Sequence, residues 1–210
     1  MRKTILAAFC LTLLAPGVAL ADSTQTYDFT GFDELDISAG VDVTYEAGPD
    51  YAVVIDFKQG SPNDMKLRQD GSRLYIARKA TSGWRDKVRA KVRVTSPHLE
   101  EIEASSGSSI RATGIDSDIL VLDAASGASI KAEGTCGSLK IVANSGGSAS
   151  AKDVVCQKVA ANASSGGSAT AYASAEAKSH TSSGGSVDIY GDPADREANR
   201  SISGGSTTFH

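Results

Sequence analysis

The sequence has little of what marks several common classes of protein. Its 21 lysines and arginines are outnumbered by 25 aspartates and glutamates, so the formal net charge is −4, and no basic patch indicates nucleic-acid binding. After the N-terminal apolar segment no further one is long enough to cross a membrane. The three cysteines have no histidines at ligand spacing, so there is no zinc motif. Helix-forming runs and 3.6-residue periodicity are lacking beyond residue 105, which excludes a helical solenoid.

A short Ser/Gly-rich motif recurs at a nearly constant interval from residue 105 onward. The copies centre on Gly107, Gly127, Gly146, Gly166, Gly184 and Gly204. Their separations are 20, 19, 20, 18 and 20 residues. A fixed period of this length is typical of solenoids, in which each repeat stacks on its neighbours. Solenoids present long repetitive faces, which favours binding over catalysis in one buried pocket.

Apolar and polar residues alternate within each repeat, which is the pattern of a β-strand. Around Gly127, the inward positions hold Leu122, Ala124, Ile130 and Ala132, and the neighbouring repeats keep the same four offsets. We therefore predict an all-β parallel β-helix of about 20 residues per coil, with coils stacked ~4.8 Å apart. The repeat glycines are expected at the corners, where they relieve backbone strain.

The Ser/Gly/Ala composition is also that of a flexible low-complexity linker. A linker has no reason to hold four apolar positions in register over several repeats, whereas stacked strands require it. We therefore interpret the region as folded. Its alanine-rich columns predict a thin core, because alanine buries less apolar area than leucine or isoleucine.

The N-terminal segment has the organisation of a secretory signal. Residues 1–3 are a short basic stretch, residues 4–18 are mostly apolar, and residues 19–21 form an A-x-A cleavage site. The apolar run is too short for a transmembrane anchor. We predict a signal peptide over residues 1–21, with no membrane span after its removal. Export would take the protein to the periplasm or cell surface of a Gram-negative-type bacterium.

Two cysteines occupy the same position in neighbouring repeats. Cys136 and Cys156 each precede a repeat glycine by ten residues, so they should lie one above the other at a distance that a disulfide tolerates. The alternative is a pair of small buried residues with free thiols. Because the predicted compartment is oxidising, we favour a structural disulfide.

Residues 22–98 also alternate in strand fashion, but without the Ser-Gly period. The Asp70-Gly71 pair within this region predicts a β-hairpin turn. We therefore expect a β-strand region over 22–98 that caps the solenoid and a β-helix over 99–210. A cap is needed because the end of a β-helix exposes strand edges and apolar columns. The columns turn polar near the other end, at Ser179, Thr181, Asn199 and Ser201.

Two segments outside the repeats, residues 31–43 and 91–99, carry a family resemblance. Together with the Ser-Gly ladders that follow, they resemble the putative auto-transporter adhesin head domain family, also called the GIN domain family. This chain has Gly40-Val41-Asp42 where the family name suggests Gly-Ile-Asn. The resemblance implies a right-handed β-helix and an adhesin-like role, and it brings no catalytic residues.

Catalytic constellations are weakly represented. The histidines, His98, His180 and His210, lie outside any nucleophile-elbow motif, and tight corners explain the abundant serines. Carbohydrate-active β-helices need clustered charges beneath long loops, whereas these coils are close to minimal length. Three basic residues along one column do not keep the same offset from their repeat glycines, and we interpret them as a solvated face. They are Arg111, Lys131 and Lys152.

Metal and cofactor sites are equally weak in the sequence. Calcium-binding β-rolls repeat every nine residues with a ladder of aspartates, and no aspartate recurs in that way here. The acidic group Asp116, Asp118 and Asp123 could bind calcium weakly, but a solvent-facing loop explains it as well. We predict no cofactor and no metal site.

These observations leave three functional hypotheses. The first is an exported, non-enzymatic adhesion or interaction module that binds glycans or other surface polymers through a polar coil face. The second is a periplasmic envelope scaffold that binds a partner protein. The third, more remote, is a polysaccharide-active enzyme. The sequence does not identify the ligand, the binding face or the oligomeric state.

Overall fold

The computed structural model describes residues 23–79 and 88–210, so the predicted signal peptide lies outside the described residues. The regular secondary structure of these residues is β-strand, apart from one 3-10 turn at Pro62–Asp64. The strands are β1 (Ser23–Tyr27), β2 (Glu34–Ser38), β3 (Asp42–Ala47), β4 (Ala52–Gln59), β5 (Met65–Asp70), β6 (Arg73–Arg78), β7 (Arg89–Ser96), β8 (Glu101–Ala104), β9 (Ser109–Ala125), β10 (Ser129–Asn144), β11 (Ser148–Ala163), β12 (Ser168–Thr181), β13 (Ser186–Tyr190), β14 (Asp195–Arg200) and β15 (Ser206–Phe209).

The long strands β9 to β12 stack in parallel and in chain order, and each runs through most of a coil. Ile130 of β10 pairs with Ile110 on one side and Ala149 on the other, so the stacking follows the sequence repeat. β13 and β15 continue the stack after the corners, and β14 continues it before them. The predicted parallel β-helix is confirmed.

Each coil contributes one segment before its corner and one after it. We call the stacked segments before the corners sheet I; it contains β5, β6, β2, β8, the later parts of β9 to β12, and β14. We call those after the corners sheet II; it contains β1, β4, β7, β3, the early parts of β9 to β12, β13 and β15. The core lies between the inward faces of the two sheets.

The four predicted apolar columns are all buried through the central coils. One column of sheet I illustrates how the side chains shrink along the axis, from Ile102 through Leu122 and Ile141 to Ala161. Since hydrophobic stabilisation scales with the apolar area removed from water, the alanine coils contribute less of it than the first coils. The largest fully buried side chains, Tyr45 and Phe32, lie at the N-terminal end.

Five corners share one two-residue turn in the left-handed region. In the first of them, Ser106 and Gly107 have φ of 53° and 70°, and the Ser108 N–H donates to the Ser105 carbonyl at 3.1 Å. Positive φ at both central residues defines a type I′ turn, whose twist suits tight reversals between strands. The same angles recur at Gly127, Gly146, Gly166 and Gly184 and at the serine before each of them.

A second glycine follows the first at three corners and serves a different purpose. A Cβ on Gly147, Gly167 or Gly185 would overlap a carbonyl oxygen of the preceding coil, whereas a Cβ on Gly166 would meet nothing within 4 Å. The first glycine of the pair therefore provides a backbone conformation. The second provides space for close approach of two backbones.

The last corner differs from the other five. The Gly204 N–H donates to the Ser201 carbonyl at 3.1 Å, so Gly204 holds the place of Gly185 rather than that of Gly184. Gly205 is an additional residue in this turn, and Ile202 at its tip is fully exposed. Gly204 is therefore shifted by one position relative to the other repeat glycines.

This shift also corrects the predicted end of the sheet I columns. Ser179 and Thr181 are buried. They pair with Ala198 and Arg200, and not with Asn199 and Ser201 as the sequence predicted. The last corner contains one extra residue. An alignment on the repeat glycines therefore places each residue of β14 one position away from its true partner on β12. All six residues of β14 are exposed.

The solenoid stack extends beyond the recognisable repeats, to β2 and β3. These strands are parallel to β8 and β9, and Ile37 pairs with Ala104. Their corner is Ala39-Gly40, with φ of 60° and 67°, which is the same left-handed pair as in the later corners. Residues 34–47 are thus a coil, although no Ser-Gly motif marks them.

The N-terminal end adds strands in an order that departs from the chain. β6 and β7 pair in parallel with β2 and β3 on the side away from β8 and β9. Antiparallel β4 and β5 then flank β7 and β6, and β1 pairs with β4 at the edge. The predicted Asp70-Gly71 hairpin is confirmed, because Asp70 pairs with Arg73. These strands cover the N-terminal end of the stack, whereas residues 34–47, which the predicted cap over 22–98 included, form a coil of it.

The two cysteines of the repeats are bonded to each other. Cys136 and Cys156 are directly paired on β10 and β11, their Cα atoms are 4.5 Å apart, and their sulfurs form a disulfide. Both side chains are buried in the stack. The bond therefore ties two neighbouring coils together at a point away from the corners.

We expect removal of this disulfide to lower the free energy of unfolding by about 3 kcal/mol, because it closes a loop with a sequence separation of 20 residues. The measurement is chemical denaturation of the Cys136→Ala, Cys156→Ala double variant against the oxidised native chain. Mass spectrometry of the native chain without reductant should show a mass two hydrogens below the dithiol form. Two thiols that alkylate freely without reductant would contradict the pairing.

Gly166 and Gly167 form a matched pair for testing the corner. We expect Gly167→Ala to cost about 3 kcal/mol or more, because its Cβ has no space. Gly166→Ala should cost about 1 kcal/mol, because only the positive φ opposes it. Thermal unfolding of both variants checks the order, and equal losses would contradict the separate roles of the two glycines.

Candidate binding surfaces

The outward side of sheet II carries a regular array of hydroxyl groups over its last four strands. Outward positions alternate with inward ones, so two outward columns run side by side along the stack. We call this surface the hydroxyl face; it consists of Ser148, Ser150, Ser168, Thr170, Ser186, Asp188, Ser206 and Thr208. Its members repeat every ~4.8 Å along the stack and every ~6.6 Å along each strand. All of them are exposed or half-buried.

One column of the hydroxyl face continues toward the N-terminal end as an unbroken serine row. Ser129 pairs with Ser109 on one side and with Ser148 on the other. The row ends where the Ser109 hydroxyl donates to the Asp42 carboxylate at 2.6 Å. The recurrence of serine two residues after each repeat glycine was a signal in the sequence for this row.

The second column becomes charged at the same end, and its charges neutralise one another. Arg111 and Lys131 pair in the register, and each contacts the Glu133 carboxylate at 3.0 Å. Lys131 also contacts Asp153 at 3.3 Å. Of the three basic residues predicted to share a column, Arg111 and Lys131 therefore form an ion-paired surface, and Lys152 lies apart from them.

Lys152 belongs to an aromatic group at the C-terminal end of sheet II. Its ammonium lies 3.9 Å from the centre of the Tyr190 ring. The His210 ring stacks on Tyr190 with centres 4.4 Å apart, and its Nε2 lies 3.0 Å from the Asp188 carboxylate. Asp188 thus connects this group to the hydroxyl face. The Tyr190 ring is thus already in contact with both a cation and a second aromatic ring of the protein.

Sheet I presents a row of carboxylates on its outward side. Asp36, Glu103 and Asp123 pair across three adjacent strands. The Arg73 guanidinium binds Glu103 at 2.9 Å and Glu101 at 3.0 Å, and it also binds Glu34. Within the row, Arg73 therefore pairs with the central Glu103 and with neither Asp36 nor Asp123.

The carboxylates of this row interact unfavourably. Burial raises the pKa of Asp123, and the negative charge of Glu103 raises it further. Burial is also the main cause of the raised pKa of Asp36, and Glu103 again adds to it, opposed by Arg73. Both shifts disfavour the charged form in the folded protein. The row is consequently a source of instability at neutral pH.

The acidic group proposed from the sequence is not brought together. Asp123 lies in the sheet I row, whereas Asp116 and Asp118 line a polar groove of about 350 Å³ with His98 and Glu100. Asp116 accepts a hydrogen bond from the Thr135 hydroxyl at 2.9 Å. Among the described residues, no cluster of three or more His, Cys, Asp or Glu is arranged to hold a metal ion.

The three histidines occupy unrelated surfaces. His180 faces outward from sheet I between Asn162 and Asn199, whereas His98 lines the polar groove and His210 lies in the aromatic group. Within residues 23–79 and 88–210, no hydrogen bond joins a serine hydroxyl to a histidine ring. The two predicted cysteines are buried in the stack. Five of the predicted corner glycines are exposed beside their serines, whereas Gly204 is half-buried and shifted by one position.

In the described part of the chain, no helix is long and apolar enough to cross a membrane. Residues 31–193 match the family described as putative auto-transporter adhesin, head GIN domain. The chain belongs to this family. No curated protein matches the chain.

Solved structures share the fold at low sequence identity. The chain is similar to a crystal structure of a putative adhesin from Bacteroides fragilis, with a TM-score of 0.73 and 16% identity, over 91% of this chain and 97% of that one. It is also similar to a putative lipid binding protein from Parabacteroides distasonis, with a TM-score of 0.50 and 15% identity, over 90% and 96%. At these identities the likeness concerns the fold.

Replacing one member of the carboxylate row should stabilise the protein. We expect Asp123→Asn to raise the melting temperature at pH 7 by about 1–2 °C, because it removes a like-charge pair across the strands. Since the raised pKa makes the ionised form costly, the gain should disappear as the pH falls below the ordinary carboxyl range, where both states are protonated.

Asp56→Asn is the matched control for that prediction. The Thr24 hydroxyl and then Arg93 hold the pKa of Asp56 below its usual value, so its ionised form favours the folded state. Its replacement should lower the melting temperature at neutral pH and have little effect in acid. A lower melting temperature for Asp123→Asn at pH 7 would contradict the proposed repulsion.

Proposed function

We propose that this protein is an exported, non-enzymatic adhesion or interaction module that binds an extended polymer, such as a glycan, through its hydroxyl face. The observation that carries the proposal is the spacing of that face. Its hydroxyls stand on a fixed lattice set by strand geometry. A polymer with repeating polar groups can meet many of them at once.

The chemistry of the hydroxyl face suits an uncharged polar ligand. Each hydroxyl can donate one hydrogen bond and accept others, and Asp188 and Lys152 add a carboxylate and a cation at one end of the face. Individual neutral hydrogen bonds are weak in water, at about 0.5–1.5 kcal/mol. Useful affinity therefore requires several contacts in parallel, and a rigid stack provides them with a reduced ordering cost for the protein.

Export is part of the proposal. The predicted signal peptide over residues 1–21 and the Cys136–Cys156 disulfide both suit an oxidising compartment outside the cytoplasm, and the family's adhesin-like members suggest an extracellular or envelope protein. Surface display favours adhesion, whereas retention in the periplasm favours a scaffold that binds an envelope partner.

Surface biotinylation of intact cells, with and without permeabilisation of the outer membrane, separates these two locations. We expect exposed lysines such as Lys66 and Lys140 to react on intact cells. Protease treatment alone is less informative, because a compact β-solenoid resists cleavage. Labelling that requires permeabilisation would favour the periplasmic alternative.

Binding through the hydroxyl face can be tested with a Ser150→Ala, Thr170→Val double variant of the mature chain. The probes are immobilised dextran, mannan and xylan, measured by retention. For a polysaccharide that retains the native chain, we expect about tenfold weaker retention of the variant, since two neutral hydrogen bonds are lost.

The matched control makes the same two chemical changes elsewhere, as Thr26→Val with Ser138→Ala. Thr26 lies on the exposed edge strand β1 and Ser138 on β10 in sheet I, so this variant should bind like the native chain. Equal weakening of both variants would contradict a role for the hydroxyl face. Failure of all three polysaccharides to retain the native chain would contradict the neutral-glycan form of the proposal.

A further inference from the structure

A cavity of about 320 Å³ opens where the Ala39-Gly40 corner meets the N-terminal strands. Its walls come from separate parts of the chain: the start of β3, the end of β4, the end of β6 and the start of β7. The lining residues include Asp42, Lys58, Arg78, Arg89 and Lys91. Four of these five side chains are basic and one is acidic, in a protein whose net charge is −4.

Some basic side chains of the described chain contact carboxylates, as Arg73 and Lys131 do. Among residues 23–79 and 88–210, no carboxylate lies within 4.0 Å of Lys58, Arg78 or Arg89. Within these residues, no contacting carboxylate neutralises their charges.

The fourth cation and the one carboxylate are placed at the margin of the cavity. Lys91 pairs across the strands with Asp42 and Asp56. Asp56 is engaged by Thr24 and by Arg93, and the Asp42 carboxylate accepts the Ser109 hydroxyl. The two carboxylates are thus already hydrogen-bonded, and the cavity keeps an excess of positive charge.

Arg78 is held in place by groups that carry no charge. Its Nε donates to the Ala39 carbonyl at 2.7 Å, and its Nη1 lies 3.5 Å from the Val88 carbonyl. The guanidinium occupies the space that a Cβ on Gly40 would need, so the absence of a side chain at Gly40 makes room for it. A guanidinium oriented in this way is suited to hydrogen-bonding an oxyanion, and it loses little freedom on binding.

We propose that this cavity is a binding site for a sulfate or phosphate ester group carried on a polysaccharide. Three cations that converge from β4, β6 and β7 provide the charge, and the fixed Arg78 provides a directional donor. The site lies at the opposite end of the stack from the hydroxyl face. It rests on the proposed function in one respect, since that function identifies a polysaccharide as the carrier.

The test measures binding of the mature chain to dextran sulfate, to dextran phosphate and to unmodified dextran by isothermal titration calorimetry. We expect binding to one or both charged polymers that weakens with added salt, because screening reduces attraction between exposed charges. The Lys58→Gln, Arg89→Gln variant should bind about tenfold more weakly, since charge-assisted hydrogen bonds are lost. These exposed side chains can be replaced without disturbing the Arg78 contacts.

The control variant Lys66→Gln, Lys140→Gln removes the same total charge from exposed positions outside the cavity. It should bind within about twofold of the native chain, since general electrostatic attraction by distant charges is screened. Equal weakening of both variants, or absence of binding to both charged polymers, would overturn the site. A preference between sulfate and phosphate identifies the ester.

The hydroxyl-face variant distinguishes this site from the proposed function. Ser150→Ala, Thr170→Val should leave binding to the charged dextrans unchanged, because the cavity lies on other strands. Loss of neutral-glycan retention with intact binding of charged polymer would separate the two surfaces. If the hydroxyl-face variant also lost the charged polymers, the cavity would not be an independent site.

Discussion

Backbone hydrogen bonds between successive coils are the constraint on which the structure depends. Each coil can bond to the next only if both follow the same path, and the path is set at the corner. There two consecutive residues hold positive φ, as Ser106 and Gly107 do, and the chain reverses within one turn. A non-glycine residue in the left-handed region costs about 1–2 kcal/mol. The backbone hydrogen bonds between coils must therefore offset a strain that recurs at the serine of five corners.

The stacking also determines what the surfaces can be. A parallel stack places the same sequence position above itself in every coil, so any residue that recurs becomes a column. Inward, this produces aliphatic columns that taper to alanine, as from Ile102 to Ala161. Outward, it turns scattered serines into the hydroxyl face. The same rule turns acidic residues into a row with unfavourable pKa shifts, so regularity brings a cost in stability as well as a binding lattice.

Functional candidates lie on regular parts of the stack and at its ends. The hydroxyl face and the aromatic group share the later coils of sheet II, where Asp188 connects them. The cationic cavity lies at the other end, where β6 and β7 join the stack beside β2 and β3. The two surfaces therefore lie at opposite ends of the stack. At the two ends of the stack the repeat is interrupted, and side chains that do not recur in other coils come together there.

The amino-acid sequence by itself determined the features that repeat: the period, the four buried columns, the Cys136–Cys156 register and the Asp70-Gly71 hairpin. Each of these features follows from a local sequence pattern, and strand periodicity and turn chemistry allow such patterns to be predicted. Only the tertiary structure decided what lacks a repeat. Ala39-Gly40 became a corner without the serine motif, the last corner gained a residue, and β6 and β7 stacked out of chain order. The cationic cavity joins residues as distant as Asp42 and Lys91, and no local pattern encodes which strands will meet there.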